Sequence, residues 1–138
     1  MMVFVDTGPL RALVSPRDQY RKQALATLDQ LKVQSCRLVT SDDVLNEVFT
    51  GLIGDKRGGY WRILQLELLV FKQQMLQVEW VGRERFLQTK KLFLKVSKDK
   101  LWSFTDCTSC VVMKELKITQ VFTFDEHFEQ MGLEVVKG

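Results

Sequence analysis

Residues 101–128, LWSFTDCTSCVVMKELKITQVFTFDEHF, decide the fold. Asp106 opens a helix over residues 105–116 that is apolar nearly all round, the pattern of a buried helix. Asp125 directly follows a short apolar strand, Val121-Phe122-Thr123-Phe124, and the first strand of the chain, Val3-Phe4-Val5, ends the same way in Asp6-Thr7. In an open parallel α/β sheet the strand ends and the starts of the helices that follow lie along one edge, where ligands bind. That edge collects Asp6, Asp106 and Asp125. Crowded carboxylates raise one another's pKa unless a cation compensates them, so the cluster reads as a site for a hard divalent metal.

Outward from this stretch, strands alternate with helices. After the first strand, Gly8-Pro9 starts a helix with Leu10, Leu13 and Val14 on its apolar face, and Pro16 breaks it. Residues 21–31 place Ala24, Leu25, Leu28 and Leu31 at helical spacing, and Arg37-Leu38-Val39-Thr40 follows as a second strand. Ser41 or Thr40 caps the next helix, with Asp42 and Asp43 at its positive end and Val44, Leu45, Val48, Phe49 and Leu52 as its buried stripe. Beyond Gly58-Gly59, residues 60–71 predict a helix with Trp61, Leu64, Leu68 and Leu69 on its apolar face. Residues 76–81 alternate as a half-exposed edge strand, residues 83–96 return to helical spacing, and residues 133–136 close as a last strand. This order predicts an α/β fold, a three-layer α/β/α sandwich around a mostly parallel sheet.

The chain has 138 residues, 46% of them hydrophobic, which suits one domain over residues 1–138 with a full core. No apolar run approaches the ~20 residues of a membrane span, so a soluble, cytoplasmic protein is expected. Cys36, Cys107 and Cys110 are odd in number and lie in apolar surroundings, which fits packed thiols better than a disulfide framework. The net charge of +3 permits a polyanionic partner without demanding one.

Each candidate residue has a plainer reading. Ser103-x-x-Asp106 is also a capping box, Asp125 is also a turn residue, and periodicity makes Glu47 a surface residue beside the buried stripe of its helix. Asp6 is harder to explain by stability, since a carboxylate ending an apolar strand is costly to bury without a partner. Cys107-Thr108-Ser109-Cys110 has the spacing of a redox pair but sits within an apolar helix. His127 reads as a structural residue after a turn. Lys90, Lys91 and Lys95, with Arg83, Arg85, Lys98 and Lys100, form a basic tract suited to an RNA backbone or to a solvated helix face. Arg57-Gly58-Gly59-Tyr60-Trp61-Arg62 pairs cations with aromatics, as base-stacking and protein-binding surfaces do.

Val3-Phe4-Val5-Asp6-Thr7, Leu45-Asn46-Glu47-Val48, Ser103-Phe104-Thr105-Asp106-Cys107 and residues 121–128 followed by Gly132 together resemble the PIN-domain nucleases. The likeness is to the small single-domain toxins of toxin–antitoxin pairs, the VapC-like type. It implies an endoribonuclease with Mg²⁺ or Mn²⁺ held by Asp6, Glu47, Asp106 and Asp125 as the catalytic acids, with Thr7, Ser103 and Thr123 supporting them. It also implies an RNA substrate, an antitoxin partner, for which Tyr60 and Trp61 with Arg57 and Arg62 offer an interface, and assembly as a homodimer or higher homo-oligomer. Gly8 and His127 depart from the commonest pattern, which often has Ser and Asp at those positions. A PIN-like module that binds RNA or protein without catalysis is the main alternative. A haloacid-dehalogenase-type phosphatase would need a second Asp two residues after the first, where Gly8 stands.

Overall fold

The structure, a computed structural model, describes residues 1–136. Among these, five parallel strands form one sheet in the order β3-β2-β1-β4-β5: β1 Met2–Val5, β2 Arg37–Ser41, β3 Gln77–Glu79, β4 Gln120–Phe122 and β5 Glu134–Val136. β1 is central, and Val3, Phe4 and Val5 are buried; a strand covered on both faces has no polar side to alternate with. β3 is the edge strand that the alternation of residues 76–81 predicts, though shorter. Seven helices flank the sheet: α1 Thr7–Val14, α2 Arg21–Val33, α3 Asp42–Ile53, α4 Gly59–Glu67, α5 Gly82–Val96, α6 Phe104–Glu115 and α7 His127–Gln130. α1 to α4 pack against one another and α5 packs on α6. Right-handed crossovers put these two groups on opposite faces, which makes the α/β/α sandwich.

The chain steps from β1 to β2 to β3 in one direction, then returns to place β4 on the other side of β1. This reversal opens a crevice at the carboxyl ends of β1 and β4, where such sheets bind ligands. α6 is buried from Asp106 to Met113 because α5 covers its outer side, with Phe86 and Phe93 of α5 both against Phe104.

Two local expectations change. β4 ends at Phe122, so Asp125 lies beyond the strand in a turn instead of directly at its end. The apolar face of residues 60–71 is shifted: Leu66 and Val70 are buried with Ile63 and Leu69 packed on the core, while Trp61, Leu64, Leu68 and Phe71 are exposed. α4 runs into a π turn, Leu68–Lys72, closed by the Gln73 N–H on the Leu68 carbonyl at 2.8 Å. Ile63, Leu66 and Val70 fall at i, i+3 and i+7, a second apolar stripe at helical spacing, and it is this one that packs on the core.

Candidate active site

Asp6 is the first residue past the central strand, and its N–H still bonds the Phe122 carbonyl of β4 at 3.0 Å. Its side chain is only 4% exposed. The Thr123 hydroxyl donates to Asp6 Oδ2 at 2.7 Å, and the Thr7 N–H also bonds the carboxylate. Burial nonetheless pushes the Asp6 pKa from the ordinary 3.8 up to about 6. The two hydrogen bonds pull it down, and the charges of Asp106 and Asp125 add a smaller upward push. Crowding of like charges is the expected cause; desolvation at the end of a fully covered strand proves the larger one.

Asp106 is 7% exposed and forms a reciprocal capping box with Ser103: its N–H bonds Ser103 Oγ at 3.0 Å, and its Oδ2 accepts the Ser103 N–H at 3.1 Å. Capping does not compete with a role in the cluster, because the same oxygen that accepts the Ser103 N–H also faces the His127 ring. Asp125 is indeed a turn residue, with Oδ1 accepting the His127 N–H at 2.9 Å and its own N–H bonding Thr123 Oγ1 at 3.0 Å. Thr123 thus touches both acids that follow strands.

His127 is the residue that the sequence reading left outside the site. Its Nδ1 lies 3.1 Å from Asp106 Oδ2 and 3.3 Å from Asp125 Oδ1. A signal for it existed: an Asp that turns the chain onto its second following residue brings that residue back beside its own carboxylate, and here that residue is His127.

Among the described residues, Asp106, Asp125 and His127 form a group whose ligand atoms all lie within 4.8 Å of one another, close enough for one cation to touch all three. Asp6 adjoins this group, and its charge couples to both acids. A cavity of about 560 Å³ opens beside them, lined by Asp6, Thr7, Gly8, Phe124, Asp125 and His127 among others. The donor chemistry fits a divalent ion: carboxylate oxygens suit Mg²⁺ and Mn²⁺, and an imidazole nitrogen suits transition metals, so Mn²⁺ satisfies both kinds of donor.

Glu47 stands exposed on α3, outside the three-residue group. Lys90, Lys91 and Lys95 are exposed on α5, Lys91 and Lys95 one turn apart. Arg85 is engaged instead by Glu79, Glu115 and the Trp80 carbonyl. Arg62, expected at an interface, is paired with Asp55, leaving Arg57 as the exposed cation beside Trp61. Cys107 and Cys110 are buried free thiols, and burial pushes the Cys107 pKa up to about 11, so neither is a thiolate nucleophile at neutral pH.

The sequence profile of the PIN domain matches residues 3–133. No curated protein sequence matches the chain. Among solved structures, the chain is similar to Mycobacterium tuberculosis VapC20, a sarcin–ricin loop cleaving toxin, with a TM-score of 0.82 and 25% identity over 99% of each chain. VapBC2 from Rickettsia felis, bound to a DNA fragment from its promoter, shares the fold at a TM-score of 0.74 and 13% identity, covering 98% of this chain and 97% of that one. VapBC-1 from nontypeable Haemophilus influenzae does so at 0.69 and 18%, covering 98% and 96%.

Proposed function

The chain belongs to the PIN-domain family, and from that premise we propose that it is a metal-dependent endoribonuclease, the toxin of a toxin–antitoxin pair. On this reading residues 1–138 are one domain that works in the cytoplasm. The observation that carries it is that Asp6, Asp125 and His127 line one open cavity at the carboxyl ends of β1 and β4, with Asp106 grouped against Asp125 and His127.

Asp6, Asp106 and Asp125 would hold the cation, with His127 beside Asp106 and Asp125. Glu47 joins the set by its likeness to the family. Bound there, a divalent ion lowers the pKa of a water and neutralises charge developing on a phosphodiester. The chain's own residues do the positioning. Thr123 orients Asp6 and fixes the Asp125 turn, Ser103 locks the Asp106 rotamer, and Thr7 supplies a backbone N–H. Buried Asp6 supplies negative charge that is short of compensation, which favours a cation over water in the crevice.

Lys90, Lys91 and Lys95 are proposed contacts for the RNA backbone. Replacing Lys91 and Lys95 by Glu should then weaken RNA binding and flatten its salt dependence. The antitoxin is assigned to the groove of about 460 Å³ beside Trp61, lined also by Leu13, Pro16 and Arg57, where an aromatic 71% exposed offers an anchor. Complexes of VapB with VapC and of FitA with FitB among the similar structures support such a partner. The exposed Leu87 and Leu94 of α5 offer a surface for self-pairing.

The test is incubation with structured RNAs, the sarcin–ricin loop first, with Mg²⁺ or Mn²⁺ and with chelator. Cleavage only with metal, lost in Asp106→Asn, is expected. Cleavage that survives chelation would remove the metal from the reading, and RNA binding without cleavage would favour the non-catalytic module.

A further inference from the structure

Gly8 and Phe124 explain each other. A Cβ at position 8 would stand 3.2 Å from Phe124 Cδ2, so the missing side chain makes room for an aromatic ring at the rim of the acid cavity. That ring is held on two further sides: Phe122 meets it edge-on at 6.0 Å between centroids and 87°, and Tyr20 stacks on it at 4.5 Å and 20°.

Tyr20 is 40% exposed although one face of its ring lies on Phe124, so part of the side chain remains open to solvent. It is also held in advance. The Asp18 carboxylate accepts the Tyr20 N–H at 2.8 Å, the Asp18 N–H bonds the Ser15 carbonyl at 3.0 Å, and the Tyr20 carbonyl accepts the Ala24 N–H at the start of α2. These bonds fix the Tyr20 backbone and the Phe124 ring seats its side chain, so little entropy is lost on stacking against a ligand.

Phe124 separates two hollows. One is the acid cavity; the other, of about 200 Å³, is lined by Tyr20, Gln23, Phe124, Glu126, Glu129 and Val135 among others. Among the described residues that line the second hollow none is cationic, so it disfavours phosphate, while its aromatic wall and the Gln23 amide suit the face and edge of a base. The ring side therefore suits a nucleobase, and the cation side suits the phosphate attached to it.

We propose that Tyr20 on Phe124 is a stacking platform for a base next to the scissile phosphate of a single-stranded RNA segment, with Gly8 as the space that admits it. This rests on the ribonuclease reading for the word scissile, but the stacking itself is a property of binding. Aromatic–base stacking is sequence-tolerant and is worth roughly a tenfold change in affinity or more. Tyr20 acts here as a substrate-positioning residue.

The experiment measures binding of a short single-stranded oligoribonucleotide in chelator, with 2-aminopurine scanned along it, to the wild type, Tyr20→Phe, Tyr20→Leu and Gly8→Ser. Quenching at one position, kept in Tyr20→Phe and lost in Tyr20→Leu with about tenfold weaker binding, is expected. An abasic site at that position should weaken the wild type by the same factor and leave Tyr20→Leu unchanged. Gly8→Ser, with its melting temperature measured alongside, should lose part of the quenching by displacing Phe124. Equal affinity of wild type and Tyr20→Leu, additive losses with the abasic site, or no binding to the wild type would overturn the platform. A completed stacking cycle in a protein that cleaves no RNA with Mn²⁺ would leave the platform standing and remove the nuclease reading.

Discussion

Asp6 and Asp125 both follow apolar strands, one at each side of the same crevice, yet they live in different electrostatic worlds. Asp6 leaves the central strand and is covered by neighbours on both sides, so its carboxylate is desolvated and its pKa rises to about 6. Asp125 leaves a strand with only the short β5 beyond it, and its carboxylate is half-buried, turned onto the His127 N–H. The difference teaches that an Asp after an apolar strand takes its character from the strand's place in the sheet and from how far past the strand it stands, Asp6 being the first residue beyond β1 and Asp125 the third beyond β4, in a turn. Thr123 joins the two, donating to one carboxylate and accepting from the backbone of the other.

The largest expected effect is on catalysis. Asp6→Asn should reduce metal-dependent cleavage on the order of 10³-fold, since several kcal/mol of charge stabilisation depend on the bound cation. Without metal the same variant should melt at an unchanged or higher temperature, because an uncompensated buried charge has been removed. Asp125→Asn keeps the turn and should leave metal-free stability within about 0.5 kcal/mol while also lowering cleavage. If thermal melts in chelator show Asp125→Asn stabilising the fold as much as Asp6→Asn, the contrast between the two junctions is wrong.

The pH dependence sharpens the same contrast. The folded pKa of Asp6 is the higher one, so the folded state holds this proton more tightly than the unfolded chain does. Its stabilising contribution is complete below the ordinary 3.8 and is lost as pH rises through about 6. The full span corresponds to about 3 kcal/mol, and added metal should restore stability above that range. Urea melts across pH 4–8 should show the decline in wild type and its absence in Asp6→Asn; identical profiles would break the assignment.

His127 belongs to the Asp125 side, so its replacement tests which side sets the choice of ion. His127→Ala should lower Mn²⁺ affinity by about 10–100-fold in calorimetry, the usual cost of losing a group that holds or orients a ligand. His127→Asp should recover binding and move the preference towards Mg²⁺. An unaltered Mn²⁺ affinity in His127→Ala would return the imidazole to a purely structural role.

At the bridge the effect is expected in stability. Thr123→Val removes a hydrogen bond to a buried carboxylate and should cost about 1.5–3 kcal/mol at neutral pH while raising the Asp6 pKa further. Thr123→Ser should restore both. A chelator melt in which Thr123→Val matches the wild type at neutral pH would disconnect the two acids.

Much of this was legible in the chain. Val3-Phe4-Val5 before Asp6, the apolar run after Asp106 and the alternation of helix and strand signals dictate a parallel sheet with acids at one edge, because periodicity and strand burial are local properties. Ser103 and Asp106 announce their own capping box by spacing alone. Tertiary structure decided the rest. That Asp6 is the desolvated acid depends on strand order, which no window of sequence contains. Trp61 faces out and Leu66 faces in because this helix carries two apolar stripes at helical spacing, and packing on the core selects the one through Ile63, Leu66 and Val70. His127 joins the cluster because one turn folds it back onto Asp106, twenty-one residues earlier in the chain, a meeting of α6 with the end of β4 that contacts and not composition bring about.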